Sequence, residues 1–221
     1  MNWWVPIDLY CERTDASFWA EPANALTNMA FLIAAAAAFW LWRRAGSRDW
    51  PVLALIIVVV AVGIGSFAFH TLATRGAVLA DVIPIAIFIY GYLLLALRRF
   101  LRLLAGVSVA IVVVYAAGAE ALSRLAPPDT LNGSIGYLPA LVALIVVARA
   151  ARGHARRGLE LAVLIFTVSL ALRTIDLAVC DTFPLGTHFL WHLLNATVLY
   201  VLLRTAINES VRPVGRIRLA N

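Results

Sequence analysis

The sequence contains no lysine, and all eighteen of its basic residues are arginine. That absence removes chemistry built on a lysine amine, including the Schiff base of a retinal pump or sensor. Charge is scarce as well: 14% of residues are charged and 63% are hydrophobic, with a mean hydropathy of +0.90. A water-soluble domain of 221 residues needs far more polar surface than that, and solvation by a bilayer accounts for the composition without further assumption. Acidic residues are few enough to leave a formal net charge of +6 and a pI near 10.0. In a membrane chain such an excess marks cytoplasmic loops and is no sign of a nucleic-acid partner. No cleavable leader is expected, because residues 1–22 lack a basic n-region and an apolar h-region and carry Asp8, Glu12, Asp15 and Glu21 instead. The first span must therefore direct the chain to the membrane. Richness in alanine and arginine without lysine points to a GC-rich bacterial genome.

What is present is a series of apolar runs. About 20 apolar residues cross a hydrocarbon core. Seven such runs predict spans at Asn24–Leu41, Pro51–Leu72, Val78–Leu97, Leu101–Leu122, Ile135–Ala150, Leu159–Cys180 and Thr187–Ile207. The fold class is all-α, a polytopic bundle forming one domain over 1–221, with an acidic outer segment at 1–23 and a basic cytoplasmic tail at 208–221. The connectors carry breakers and charges, as in Arg44-Ala45-Gly46-Ser47 and Pro127-Pro128-Asp129. Arginines follow spans one (Arg43, Arg44, Arg48), three (Arg98, Arg99, Arg102), five (Arg149, Arg152, Arg156, Arg157) and seven (Arg204, Arg212, Arg216, Arg218). The other side holds Arg13, Arg75 and Arg124, and Arg173 lies within span six. This asymmetry puts the N-terminus outside and the C-terminus in the cytoplasm. Trp3, Trp4, Trp19, Trp40, Trp42 and Trp50 fit interface anchors, and Gly63, Gly65 and Gly76 fit close helix approach. No internal repeat or paired broken helix supports a transporter. Asn132-Gly-Ser134 forms a glycosylation sequon, meaningful only in a eukaryotic secretory setting.

The polar residues inside the spans are the chemically informative ones. Cys11 and Cys180 both fall on the outer side, where a disulfide persists; the alternative is two buried free thiols. His188 and His192 are four apart and share a helix face. Ser66 and His70 repeat that spacing, and Asp81 follows at the outer start of span three. Ionisable groups at membrane depth need partners. Three imidazoles with an open fourth position make a catalytic zinc site; the alternative is interhelical hydrogen bonding. Zinc lowers the pKa of water to about 7, a carboxylate such as Asp81 can relay the proton, and a hydroxyl such as Ser66 can hold an oxyanion. The alternative for Asp81, secondary to the role of base, is to fix the tautomer of a ligating histidine. Arg173 and Asp176, three apart, are expected to form a structural ion pair. His154, in Arg152-Gly-His-Ala-Arg-Arg157, reads as a solvated cytoplasmic loop residue. A site near the outer interface suits a lipid whose head lies there.

Ser66-x3-His70 with Asp81, then His188-x3-His192, resembles the alkaline ceramidase family, within a wider group that includes adiponectin-receptor and hemolysin-III-like proteins. Tyr10-Cys11-Glu12, Ala20-Glu21-Pro22-Ala23-Asn24 and Arg173-x2-Asp176-x3-Cys180 favour the ceramidase branch. The resemblance implies zinc on His70, His188 and His192, Asp81 as base for the attacking water, Ser66 at the oxyanion and a Cys11–Cys180 disulfide. It further implies calcium in the acidic segment, where Glu12 and Glu21 match. Leu9 stands where the family has an aspartate, Thr14 replaces an asparagine, and the stretch from Cys11 to Glu21 is shorter, so Asp8 and Asp15 are the substitutes. The expected activity is cleavage of a ceramide-like N-acyl lipid to a fatty acid and an amine, in a bacterial cytoplasmic membrane with the site facing outward. The competing reading is a lipid sensor of the adiponectin-receptor or hemolysin-III type. Oligomeric state is not readable from the sequence.

Overall fold

A computed structural model describes residues 2–127 and 130–210. The described residues form seven apolar helices: α1 (Pro22–Arg44), α2 (Trp50–Leu72), α3 (Arg75–Arg99), α4 (Ala105–Leu125), α5 (Ser134–Ala150), α6 (Gly153–Val179) and α7 (His188–Ser210). Six are long and apolar enough to cross a membrane, and α5 is shorter. Gly133, at φ +70°, precedes α5, and its first turn, Ser134–Tyr137, is a tight 3-10 turn. Most bounds agree with the apolar runs to within a few residues. The exception is α6, which starts six residues before Leu159 and draws Arg156, Arg157 and His154 onto the helix. His154 is thus exposed in the first turn of α6 and not in a loop. The expected tail at 208–221 lies mostly outside the described residues.

The helix starts are written locally. Asp49 accepts the Val52 N–H at 3.4 Å and Pro51 occupies the first turn of α2. Thr74 accepts the Ala77 N–H at 3.3 Å at the start of α3. α2 packs along α3, α6 along α7, and α1 against both α2 and α7. The buried core runs through Val52, Val59, Val62, Leu159, Leu203 and Ile207. α7 is the most enclosed of the spanning helices, whereas Ser108 is the one buried residue of α4. Exposed Ile57, Ile64, Val113, Val114 and Leu164 present an apolar exterior, as a lipid solvent requires. Trp42 departs from its expected place as an interface anchor: it is buried and donates its indole N–H to Asp49 O at 3.2 Å.

Two glycines set the geometry at the histidine end. A Cβ on Gly65 would lie 1.9 Å from Ala80 O, so α2 and α3 touch through backbone beside Ser66 and Asp81. Gly186 has φ +65°, and a Cβ there would lie 2.3 Å from Asp176 Oδ1. The N-terminal segment lies over the α2–α3 turn, with Ile7 N–H donating to Ala73 O at 2.8 Å and Arg75 N–H to Val5 O at 3.2 Å. Cys11 and Cys180 are disulfide-bonded with Cα atoms 5.2 Å apart. That bond ties the same segment to the end of α6.

Candidate metal centre

His70 lies in the last turn of α2, and His188 and His192 in the first two turns of α7. The packing of α1 against both α2 and α7 brings the two helix ends together under the N-terminal segment, and all three rings are buried. Ring centroids are 5.2 Å apart for His70–His188, 4.7 Å for His70–His192 and 4.6 Å for His188–His192. One nitrogen from each ring falls within 4.8 Å of the others, the one such group of ligand atoms among the described residues. Nitrogens sharing a tetrahedral zinc at 2.0–2.1 Å stand roughly 3.4 Å apart, so side-chain shifts of about 1 Å close the set.

Their hydrogen bonds fix which nitrogens are free. His70 Nδ1 meets Glu21 Oε2 at 2.6 Å. The carboxylate accepts that proton, which leaves the Nε2 lone pair unused, and Nε2 is buried without a partner. Thr27 uses its own proton toward Ala23 O at 2.7 Å, so its oxygen accepts from His192 Nδ1 at 3.0 Å. His188 is stacked on Tyr10, centroids 3.6 Å apart, with Nδ1 buried and unpartnered. Buried orphan nitrogens are costly. Here the three rings converge, and His70 and His192 have second-sphere partners of the kind that orient metal-binding histidines. The donor set fits zinc.

Asp81 stands beside this cluster, next to the Ser66 hydroxyl and within electrostatic range of His70 and Arg173. Its Oδ1 is buried with no partner. Ser66 is buried one turn before His70. The structure therefore brings together all five residues assigned to zinc and catalysis: Ser66, His70, Asp81, His188 and His192.

One expectation is corrected. Arg173 and Asp176 form no ion pair. The regular helix ends at Ile175, and Asp176 opens a 3-10 turn that aims its carboxylate at α7. Asp176 accepts from Thr187 N at 2.6 Å, His188 N at 2.8 Å and Cys11 N at 3.1 Å. It caps the helix that carries two of the histidines, where a negative charge meets unpaired N–H groups and the positive dipole end. Arg173 turns to the α4–α5 connection, donating to Asn132 O and to Ser134 Oγ at 3.1 Å, over the rings of Tyr137 and Trp191. Asn132, the sequon residue, returns its amide to Arg173 O at 3.2 Å.

The acidic residues assigned to calcium form no close group of ligand atoms among the described residues. Asp8 is exposed, and exposed Asp15 accepts from Ser17 N at 2.7 Å. Glu12 caps α1 remotely, accepting from Ala23 N at 2.6 Å and Asn24 N at 2.8 Å. Glu21 is committed to His70, Arg13 and Asn24. Burial alone would push the Glu21 carboxyl up, but the His70 and Arg13 contacts outweigh it and hold the carboxyl below its ordinary value. Sequence reading missed Glu21 as the partner of His70, Thr27 as that of His192, and Tyr10 as the ring against His188. One signal was available: Asn24, Thr27 and Asn28 make a polar stripe at helical spacing on an otherwise apolar span.

Fold and site together define a class: an all-helical protein with six candidate membrane spans and a buried three-histidine centre beside a carboxylate and a hydroxyl. A family model described as Ceramidase matches residues 9–212, and the chain belongs to that family. Membership implies a hydrolase acting on amides. Comparison with curated proteins returns no match.

Proposed function

We propose that the chain is a zinc-dependent intramembrane amidase that cleaves a ceramide-like N-acyl lipid to a free fatty acid and an amine. The observation that carries this reading is the convergence of three buried imidazoles, two with orphan nitrogens, on the side where Asp81 Oδ1 and Ser66 stand. His70, His188 and His192 would hold the ion. Zinc there would supply Lewis-acid polarisation and a more acidic water.

The remaining work falls to the chain's own groups. Asp81 takes the proton of the attacking water on Oδ1 and delivers it to the departing amine nitrogen, so that a C–O bond forms as the C–N bond breaks. Ser66 donates its hydroxyl to the carbonyl oxygen as negative charge develops there. Glu21 and Thr27 hold two rings in the tautomer that leaves Nε2 free. An apolar pocket lies between α3, α5, α6 and α7, lined by Phe88, Tyr92, Leu144, Phe166 and Leu199 among others. Asn195, one turn deeper than His192 on α7, is also part of its wall. This pocket suits an acyl chain below the reacting carbonyl.

Seven spans with the N-terminus outside accord with the arginine distribution, α5 being a short crossing. The disulfide lies at the histidine end of the bundle, which supports a site facing the non-cytoplasmic side, in a bacterial case the periplasmic face of the inner membrane. The experiment is incubation of purified protein with several N-acyl sphingoid and other N-acyl lipids, with and without zinc chelation, measuring free fatty acid. Release that stops on chelation and returns with zinc is expected. Bound zinc without turnover on any lipid amide would reject the amidase in favour of a sensor.

A further inference from the structure

Arg13 approaches the candidate metal centre without being a ligand. Its guanidinium is buried, and each of its nitrogens meets an oxygen. Nε donates to Glu21 Oε1 at 2.5 Å, Nη1 to Asp15 O at 3.1 Å and Nη2 to His70 O at 3.1 Å. Both side chains of the Arg13–Glu21 pair are almost wholly enclosed, at 5% and 3% exposure. Through Glu21, whose other oxygen holds His70 Nδ1, the cation reaches the His70 ring; through His70 O it reaches the backbone of the same residue. His70 is thus held from both ends by one guanidinium.

The resemblance implies a calcium ion in this segment, and the residues do not fit one. Calcium takes six to eight oxygens at 2.3–2.6 Å. Here Asp8 and Asp15 point to solvent, Glu12 is spent on the first N–H groups of α1, and the oxygens around Glu21 already meet a permanent positive charge. An arginine is charged at every working pH and presents a rigid planar fork of donors, so it neutralises a buried carboxylate without drawing on a free ion.

We infer that Arg13 is a resident cation in the place of a bound calcium ion: it positions His70 through Glu21, and the protein neither binds nor needs calcium at this site. The inference rests on the reading of His70 as a metal ligand. Arg13 is a positioning residue, since it acts on the metal only through Glu21 and His70. Removing it leaves Glu21 a buried carboxylate with His70 and Asn24 as its remaining partners, free to shift and to carry the His70 ring with it.

The test uses the purified full chain, loaded with zinc, in calcium-depleted buffer. Titration with calcium chloride by calorimetry is expected to show no saturable binding, and turnover is expected to be the same with and without added calcium. Zinc affinity, measured by competition with a chromophoric chelator, is expected to fall 10–100-fold in Arg13→Ala, the range for losing an outer-sphere partner of a ligand. Arg13→Lys, which keeps a positive charge beside Glu21, is expected to recover most of that loss. Stoichiometric calcium binding by the wild-type chain would overturn the inference. So would wild-type zinc affinity in Arg13→Ala, or a lysine variant no better than alanine. Should Arg13→Ala fail to fold, the wild-type calcium titration decides alone. A chain that takes up no zinc defeats the amidase proposal, while the calcium titration still decides this inference.

Discussion

Replacing Gly65 by alanine separates metal binding from catalysis within one site. The added Cβ would lie 1.9 Å from Ala80 O and 3.2 Å from Asp81 N, against backbone that has no rotamer with which to yield. α3 must recede from α2 by roughly 1 Å at that level, and it carries Asp81 away from Ser66 and the attacking water. A misplacement of that size costs about 10²-fold in rate, or about 2.7 kcal/mol. His70 stays on α2, with Glu21 and Arg13 still holding it, and the α7 histidines are held by Asp176 and Thr27. Zinc content should therefore stay at the wild-type level while kcat for lipid-amide hydrolysis falls about a hundredfold. Gly106→Ala and Gly118→Ala, whose added Cβ atoms meet nothing within 4 Å, serve as controls on the same fold and should leave kcat unchanged. Wild-type turnover in Gly65→Ala would refute the reasoning, as would loss of zinc in parallel with activity.

Further outcomes follow from the same contacts. Asp81→Asn should keep zinc and lose about 10²–10⁴ in turnover, the scale of a general base; single-turnover assays on zinc-loaded protein check it. Asp176→Ala, which removes the accepting oxygens, should weaken zinc about 10–100-fold by loosening the first turn of α7, read by chelator competition, whereas an unchanged affinity would remove its capping role. Thr27→Val should weaken zinc in the same range without changing which lipids are cleaved, measured by zinc competition and product profiles. Breaking the disulfide with Cys11→Ala and Cys180→Ala should cost about 2–5 kcal/mol of stability, visible as a lower unfolding midpoint in detergent. The zinc-loaded spectrum of the folded fraction should not change.

Much of this architecture could be read before any coordinates because a bilayer allows few solutions. Apolar runs such as Trp50–Leu72 have to be helices, since no water is present to satisfy an open backbone. The short period of the helix likewise forces His188 and His192 onto one face. Helix boundaries at charged ends were less legible. Arg156 and Arg157 look like loop residues by polarity, yet Arg156 pairs with Glu160 one turn later on an exposed helix face, at 2.8 Å, and the helix extends to include them.

The least legible features were long-range polar pairings. Glu21 and His70 are 49 positions apart, and Glu21 has the local character of one more acid in an acidic segment. Its partnership depends on the N-terminal segment folding back over the α2–α3 turn. Asp176 misled for a related reason. An arginine three residues away on a helix is the natural partner on paper, but the helix ends between them, and the open N–H groups of α7 are the stronger claim on a carboxylate. Arg13 counted only as an outward-side charge in the topology argument. Its burial between Glu21 and two carbonyls belongs to the tertiary structure alone.

The central claim is that one ion sits on His70, His188 and His192. X-ray absorption at the zinc edge, on purified protein of measured metal content, tests it most directly. One zinc per chain with three imidazole nitrogens at about 2.0–2.1 Å and a light-atom fourth neighbour is the predicted result, with zinc lost in His192→Ala. A protein that retains no zinc, a sulfur neighbour, or full zinc content in His192→Ala would contradict it.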